Sequence, residues 1–359
     1  MNNGSFTSRR KIISALSVAV TGTAGCIEIS NEPSEPWTPD LERLRWRQWM
    51  GGRVSASPVL HDGTIYVGSH DGHFRAIDPE SGDVNWRFKT GGEIWTDCLI
   101  HEDRLFFGSL DNYLYSISIS GNQEWRFPAK DNIFSNPAIA DDTVYFGNSN
   151  GNVHAVSADK GVEKWRCATD DTVVSGPAVM GETLYVGSRD DSVYALDTET
   201  GDVIWSYSTE GDVSVDPALD GDRVLFGSDD DAVYALNRHD GSHVWSFDID
   251  TRINSSPTVV ADTVYFGNMA GVFYALDADT GDVRWTSQEV YGTINCDPTV
   301  VDGVVYVGDL GGHLHALDAQ TGDHRWKYET GNAVHSTPIV TDDTIYFGSN
   351  DGYLYAIER

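Results

Sequence analysis

The chain has 359 residues, 40% of them apolar, with 55 Asp plus Glu against 24 Lys plus Arg, a formal net charge of −31 and four cysteines. That apolar share supports a sizeable core and excludes a disordered chain, while the negative charge would repel polyanions and so excludes nucleic acid as a partner. The cysteines, at 26, 98, 167 and 296, show neither CxxC spacing nor a partnering His run, which indicates no metal site, no dithiol redox motif and no disulfide scaffold.

In chain order, residues 1–26 read as a twin-arginine export signal ending in a lipobox. Ser8, Arg9, Arg10 and Lys11 precede a mildly apolar stretch over 12–20, and the small residues Thr23, Ala24 and Gly25 precede Cys26, the residue expected to carry the lipid. Thr23 stands where Leu is usual. The stretch is too short and too rich in Ser, Thr and Gly to span a bilayer, which takes about 20 apolar residues. Residues 27–40, rich in Glu and Pro, form an acidic spacer that would hold a domain off the membrane.

From residue 41 the sequence repeats. Trp recurs at Trp46, Trp86, Trp125, Trp165, Trp205, Trp245, Trp285 and Trp326, at intervals of 39 to 41 residues. Pro58, Pro137, Pro177, Pro217, Pro257, Pro298 and Pro338, with Cys98 in the second repeat, form a parallel series, and Gly68, Gly108, Gly147, Gly187, Gly227, Gly267, Gly308 and Gly348 form a third. In the unit around Trp205 the patterning predicts strands over 173–179, 183–187, 192–197 and 203–208, separated by Gly, Asp and Asn turns. Periods near 40 residues with four strands and no helical pattern predict an all-β propeller of four-stranded antiparallel blades. The last unit ends after three strands, whereas Leu44, Arg45, Trp46, Arg47 and Gln48 open the array with a fourth-strand sequence. Residues 41–359 are therefore expected to form eight blades, the last closed by the N-terminal strand, which removes two exposed edges.

The segment Ala195 to Trp205, repeated at Ala275 to Trp285 and Ala316 to Trp326 and nearly so at Ala76 to Trp86, matches the motif AxDxxTGxxxW. The chain thus resembles the pyrroloquinoline-quinone-like β-propeller repeat proteins, a resemblance that covers residues 41–359 and implies that each Trp is interblade glue. It is also similar to the propeller lipoprotein of the bacterial outer-membrane assembly machine, which is built from the same repeats and binds other proteins. Six Lys among 24 basic residues and 40 Asp among 55 acidic ones are the skew of high-salt proteins, so the resemblance extends to exported lipoproteins of haloarchaeal type.

A quinoprotein dehydrogenase of this fold would hold a calcium-bound quinone in its axial cavity, with cationic groups for the quinone carboxylates and an Asp base. No repeat here carries an insertion from which a lid or substrate pocket could be built, and no two cysteines are adjacent. No quinone, Ca²⁺ or other metal is therefore expected. Positions one and three residues before the Pro vary between repeats, and if the first strand lines the axis they place Trp95, Asp97, Asn136, Asp216, Asp297 and His335 at the channel mouth. Such a ring of oxygens could hold a ligand, or the carboxylates could stand solvated in a water-filled channel. The hairpins at Arg189, Asp190 and Asp191 and at Asp229, Asp230 and Asp231 read as turns rather than metal loops. Cys98, Cys167 and Cys296 read as small buried apolar residues. The resulting expectation is a non-catalytic, monomeric, lipid-anchored scaffold at the cell surface that binds other envelope proteins, with a quinoprotein oxidoreductase and a glycan or small-ligand binder as alternatives.

Overall fold

The computed structural model describes residues 42–290 and 292–359; the export signal with Arg9, Arg10 and Cys26, and the spacer, lie outside the described residues. Among the described residues, thirty-two strands, from β1 (Leu44–Trp49) to β32 (Tyr353–Glu358), form eight four-stranded sheets. Seven are consecutive antiparallel meanders, and the eighth contains β1, β32, Thr344–Gly348 and Ile339–Val340 in that order. β1 pairs antiparallel with β32, Trp46 opposite Ala356 and Trp49 opposite Tyr353, so the two chain ends complete one blade as the truncated last repeat predicted.

The four strands of the Trp205 unit are Ala178–Met180, Thr183–Ser188, Ser192–Asp197 and Val203–Ser208. The innermost one is shorter than the predicted 173–179. Pro177 has no N–H to give to a ladder, and residues 172–177 stay outside the sheet. In the motif itself, Ala195 lies directly opposite Trp205, where a larger residue would crowd the indole, and a β-bulge follows at Leu196. Asp197 Oδ1 accepts the N–H groups of Glu199 and Thr200 at 2.9 and 2.8 Å, which closes the turn.

Two contacts between blades recur around the ring. Seven of the eight docking Trp lay their rings on the turn glycine of the following blade, where a Cβ would lie within 3.0 Å of the indole: Trp46 on Gly82, Trp165 on Gly201, Trp285 on Gly322. Gly201 also has φ +76°, so the position needs glycine for both its backbone and its contact. The indole N–H then donates to a carbonyl of that same turn, Trp46 to Pro79 at 2.9 Å and Trp205 to Arg238 at 3.0 Å. Further in, the glycine at or next to the end of each second strand faces a fully buried Val or Ile of the next blade. Gly68 meets Ile94, Gly187 meets Val213 and Gly348 meets Val54, so the last of these joins blade eight to blade one.

Among the described residues no turn glycine lies against Trp326, which sits beside β1 and β32. Arg43 places its guanidinium 4.3 Å from the centre of that ring and donates to Glu358 O at 3.2 Å, while Arg359 donates to Tyr306 Oη at 3.2 Å and pairs with Asp302 at 2.8 Å. A guanidinium thus covers this indole where the others meet a turn glycine.

Removing one indole should weaken a blade interface without abolishing the fold. Trp205→Ala is expected to cost about 3–5 kcal/mol and Gly187→Ala about 1–3 kcal/mol through overpacking against Val213, both read from chemical denaturation midpoints. Trp46→Ala should additionally raise amide exchange along β32; unchanged exchange there would show that closure does not depend on this ring.

Candidate functional site

The residue before each Pro, or before Cys98, lies where the inner segments of neighbouring blades run side by side, and at six of the eight positions its side chain bonds the backbone of the blade before it. Ser57 N donates to Asp97 Oδ1 at 2.6 Å, Asp97 N to Asn136 Oδ1 at 2.8 Å, Asp216 N to Ser256 Oγ at 3.1 Å and Ser256 N to Asp297 Oδ1 at 2.6 Å. Thr337 N donates to Ser57 Oγ at 3.0 Å, which carries the belt across the closure. Gly176 has no side chain to contribute, and Asp216 spans the gap: its Oδ1 accepts Gly176 N at 2.5 Å and its Oδ2 accepts Asn136 Nδ2 at 3.1 Å. A Cβ on Gly176 would lie 2.7 Å from that Oδ2, so the glycine is what lets Asp216 reach two blades away.

The belt surrounds an axial cavity of about 150 Å³, lined by Trp95, Asp97, Asn136, Asp297 and His335 of the six predicted positions; Asp216 joins the group through Asn136. The cavity also includes Phe134 and Asn295, which the same variable series contained. Asn295 Oδ1 is buried with no hydrogen-bond partner among the described residues. Trp95 is 37% exposed, but one of its faces is covered by His70 at 4.2 Å, its edge meets Phe134, and its N–H donates to Glu93 at 2.7 Å. Each axial carboxylate is therefore an interblade acceptor through at least one of its oxygens. Backbone N–H groups left outside the ladders take them.

Burial pushes the Asp297 carboxyl up to about 7, with the charge of Asp216 adding to it and the Ser256 N–H opposing it. Asp97 is pushed up to about 6, again chiefly by burial and against the bond from Ser57, and Asp216 is raised by burial. Burial, reinforced by Arg53, holds His335 below the ordinary histidine value. Cys98 and Cys296 are buried and their thiols raised by burial, whereas Cys167 is only half-buried on an outermost strand. The hairpin aspartates are also structural: Asp230 Oδ2 accepts Tyr234 Oη at 2.8 Å and Glu210 N at 3.0 Å.

A carboxyl that titrates higher in the folded ring than in the unfolded chain binds more protons when folded, so its contribution to stability is complete below about pH 4 and is lost as pH rises through its folded value. The buried histidines act with the opposite sign, and comparison with a variant cancels them. Asp297→Asn keeps the acceptor oxygen, and it should gain about 1–3 kcal/mol relative to the parent chain between pH 5 and pH 8 at constant ionic strength, after allowance for channel water. A difference independent of pH would sink the assignment.

The chain matches, over residues 37–173, 150–293 and 274–359, the family described as outer membrane protein assembly factor BamB. Among solved structures, BamB from Moraxella catarrhalis superposes with a TM-score of 0.77 at 18% identity, covering 88% of this chain and 99% of its own. The computationally designed Ika8 protein gives 0.79 at 15% identity, covering 87% and 98%. Quinohemoprotein alcohol dehydrogenase from Comamonas testosteroni gives 0.73 at 16% identity, covering 88% and 76%. A sequence comparison with curated proteins returns no match. The propeller fold is thus shared with a quinoprotein dehydrogenase and with BamB, and by its sequence the chain belongs to the family of outer membrane protein assembly factor BamB.

Proposed function

We propose that this protein is a non-catalytic propeller that binds other proteins of the cell envelope from outside the cytoplasm, anchored by a lipid on Cys26. The observation that carries this reading is that each axial carboxylate gives an oxygen to a backbone N–H of a neighbouring blade, which builds these groups into the ring at the position where the fold concentrates variable polar side chains. A quinone does not suit this axis. The cavity of about 150 Å³ is well below the roughly 300 Å³ at which small-molecule pockets begin, and its lining includes no Lys or Arg to receive the quinone carboxylates. Near-equal repeats likewise leave no loop from which a substrate lid could be built.

A protein-binding role has surface to act through. The outermost strands have unpaired edges, and Val203, Ile204, Val244 and Val283 on three successive blades are 45–50% exposed. An extended partner segment could pair with such an edge and cover these side chains.

Affinity capture from cross-linked membranes with the tagged full-length chain should return a reproducible partner, and charged substitutions at Ile204 and Val244 should lower its recovery at least several-fold. Dye-linked oxidation of alcohols or sugars by protein supplied with the quinone and Ca²⁺ would overturn the non-catalytic reading. For the anchor, Cys26→Ser is expected to move the protein from the membrane to the soluble fraction; a variant that stays with the membrane would contradict lipidation.

A further inference from the structure

Blade seven departs from its seven counterparts at one hairpin. The residue after the glycine that ends the second strand is buried in every blade: Ser69, Ser109, Asn148, Ser188, Ser228, Asn268 and Ser349 are neutral, and only Asp309 is ionisable. Two residues on, where five blades carry an Asp that bonds the third strand or the preceding loop, this blade has Gly311. The third strand then presents His313, and His315 where most blades have Tyr.

These changes converge on one oxygen. Asp309 Oδ1 accepts the His313 N–H at 2.7 Å, the turn-closing bond that Asn148 and Asn268 make with neutral amides at 2.9 Å. Asp309 Oδ2 is left facing His313 Nδ1 and His315 Nε2, each at 3.1 Å. In blade three the same geometry pairs Asn148 Nδ2 with His154 Nε2 at 3.1 Å, an ordinary amide to imidazole bond. Replacing that amide by a carboxylate buries an anion, which is costly unless a cation meets it. Gly311 adds room: its φ is not left-handed, yet a Cβ there would lie 3.3 Å from both Asp309 oxygens and from His313 Nδ1.

We propose that Asp309, His313 and His315 form a binding site for a divalent transition-metal ion of the zinc class, with Asp309 Oδ2, His313 Nδ1 and His315 Nε2 as its ligands. The three donor atoms lie within 4.8 Å of one another. Ligands about 2.0–2.1 Å from a tetrahedral ion stand about 3.3 Å apart, close to the two 3.1 Å separations, and rotation of the partly exposed His313 ring closes the third. Two imidazoles and one carboxylate suit Zn²⁺ or Co²⁺ better than the all-oxygen preference of Ca²⁺ and Mg²⁺, and three protein ligands leave a position for water. A supporting partner is present as well. His315 is fully buried, and its other ring nitrogen lies 3.3 Å from His324 Nε2, which can accept the Nδ1–H and so fix the tautomer that presents Nε2 to the ion. The Asp309 carbonyl accepts Val334 N at 2.9 Å, so this hairpin is tied directly to the residue before His335 of the axial cavity.

The test is equilibrium dialysis of the full-length protein, first stripped with chelator, against ZnCl₂ and separately CoCl₂. One equivalent of each ion should bind, and Co²⁺ should give the visible absorption of a low-coordinate nitrogen and oxygen site. Asp309→Asn copies a residue that blades three and six already carry at this position and should fold normally, with affinity reduced at least 100-fold. His313→Ala should do the same, and His324→Gln should weaken binding by about 10–100-fold while leaving the stoichiometry at one. No stoichiometric binding by the parent chain, or equal affinity in Asp309→Asn and His313→Ala, would overturn the proposal and leave a buried hydrogen-bond network only.

Discussion

An indole laid flat on a glycine of the next blade sets the step from one blade to the next. The contact needs two things at once: a turn that accepts positive φ, and a surface with no Cβ in the way of the ring. The indole N–H then finds a turn carbonyl, so a large apolar group is buried without leaving its one polar atom unsatisfied. Inside this outer contact, the glycine against Val or Ile pairing repeats the same logic nearer the axis. Seven of the eight docking Trp make this contact, and at the eighth, Trp326, the Arg43 guanidinium covers the ring.

At the axis the same uniformity has a different consequence. Propeller centres gather the residues most free to vary, and a cluster of three aspartates there invites a ligand reading. These aspartates instead complete hydrogen bonds that the sheet cannot make, since the segment before each Pro lies outside the ladders. Burial raises their carboxyls, and for Asp97 and Asp297 the charge of Asp216 adds to it, so the belt combines useful bonds with an electrostatic cost. The axial aspartates thus hold neighbouring blades together at the centre of the ring.

Function in a repeat protein is most visible where one repeat breaks the common pattern. Most hairpins between second and third strands use Ser, Asp and Tyr or Arg to link the blade to its neighbour, as at Asp111, which accepts both Tyr115 Oη and Gly91 N at 2.6 Å. Blade seven gives up that link and gathers carboxylate and imidazole instead. The cost of burying Asp309 is borne by one blade of eight, which is how a site can be added to the ring without disturbing the Trp and Gly contacts on which closure depends.

The number of blades, the position of every docking Trp and the completion of the last blade were all legible in the sequence, because each rests on residues recurring at a fixed spacing. So was the set of residues near the axis, since strand periodicity assigns faces. The partners were not legible. Trp46 meets a turn 33 residues away, Gly68 an isoleucine 26 residues away and Ser57 a carboxylate 40 residues away, each in the following blade. Asp309, His313 and His315 are near neighbours in the chain, yet nothing in their order reveals that position 309 is sealed from solvent. The sequence by itself determined the ring and its closure, through spacing. Only the tertiary structure decided that the axial aspartates are bonds between blades and that one hairpin converges on a buried carboxylate, because burial and backbone donors become defined only when neighbouring blades are in place.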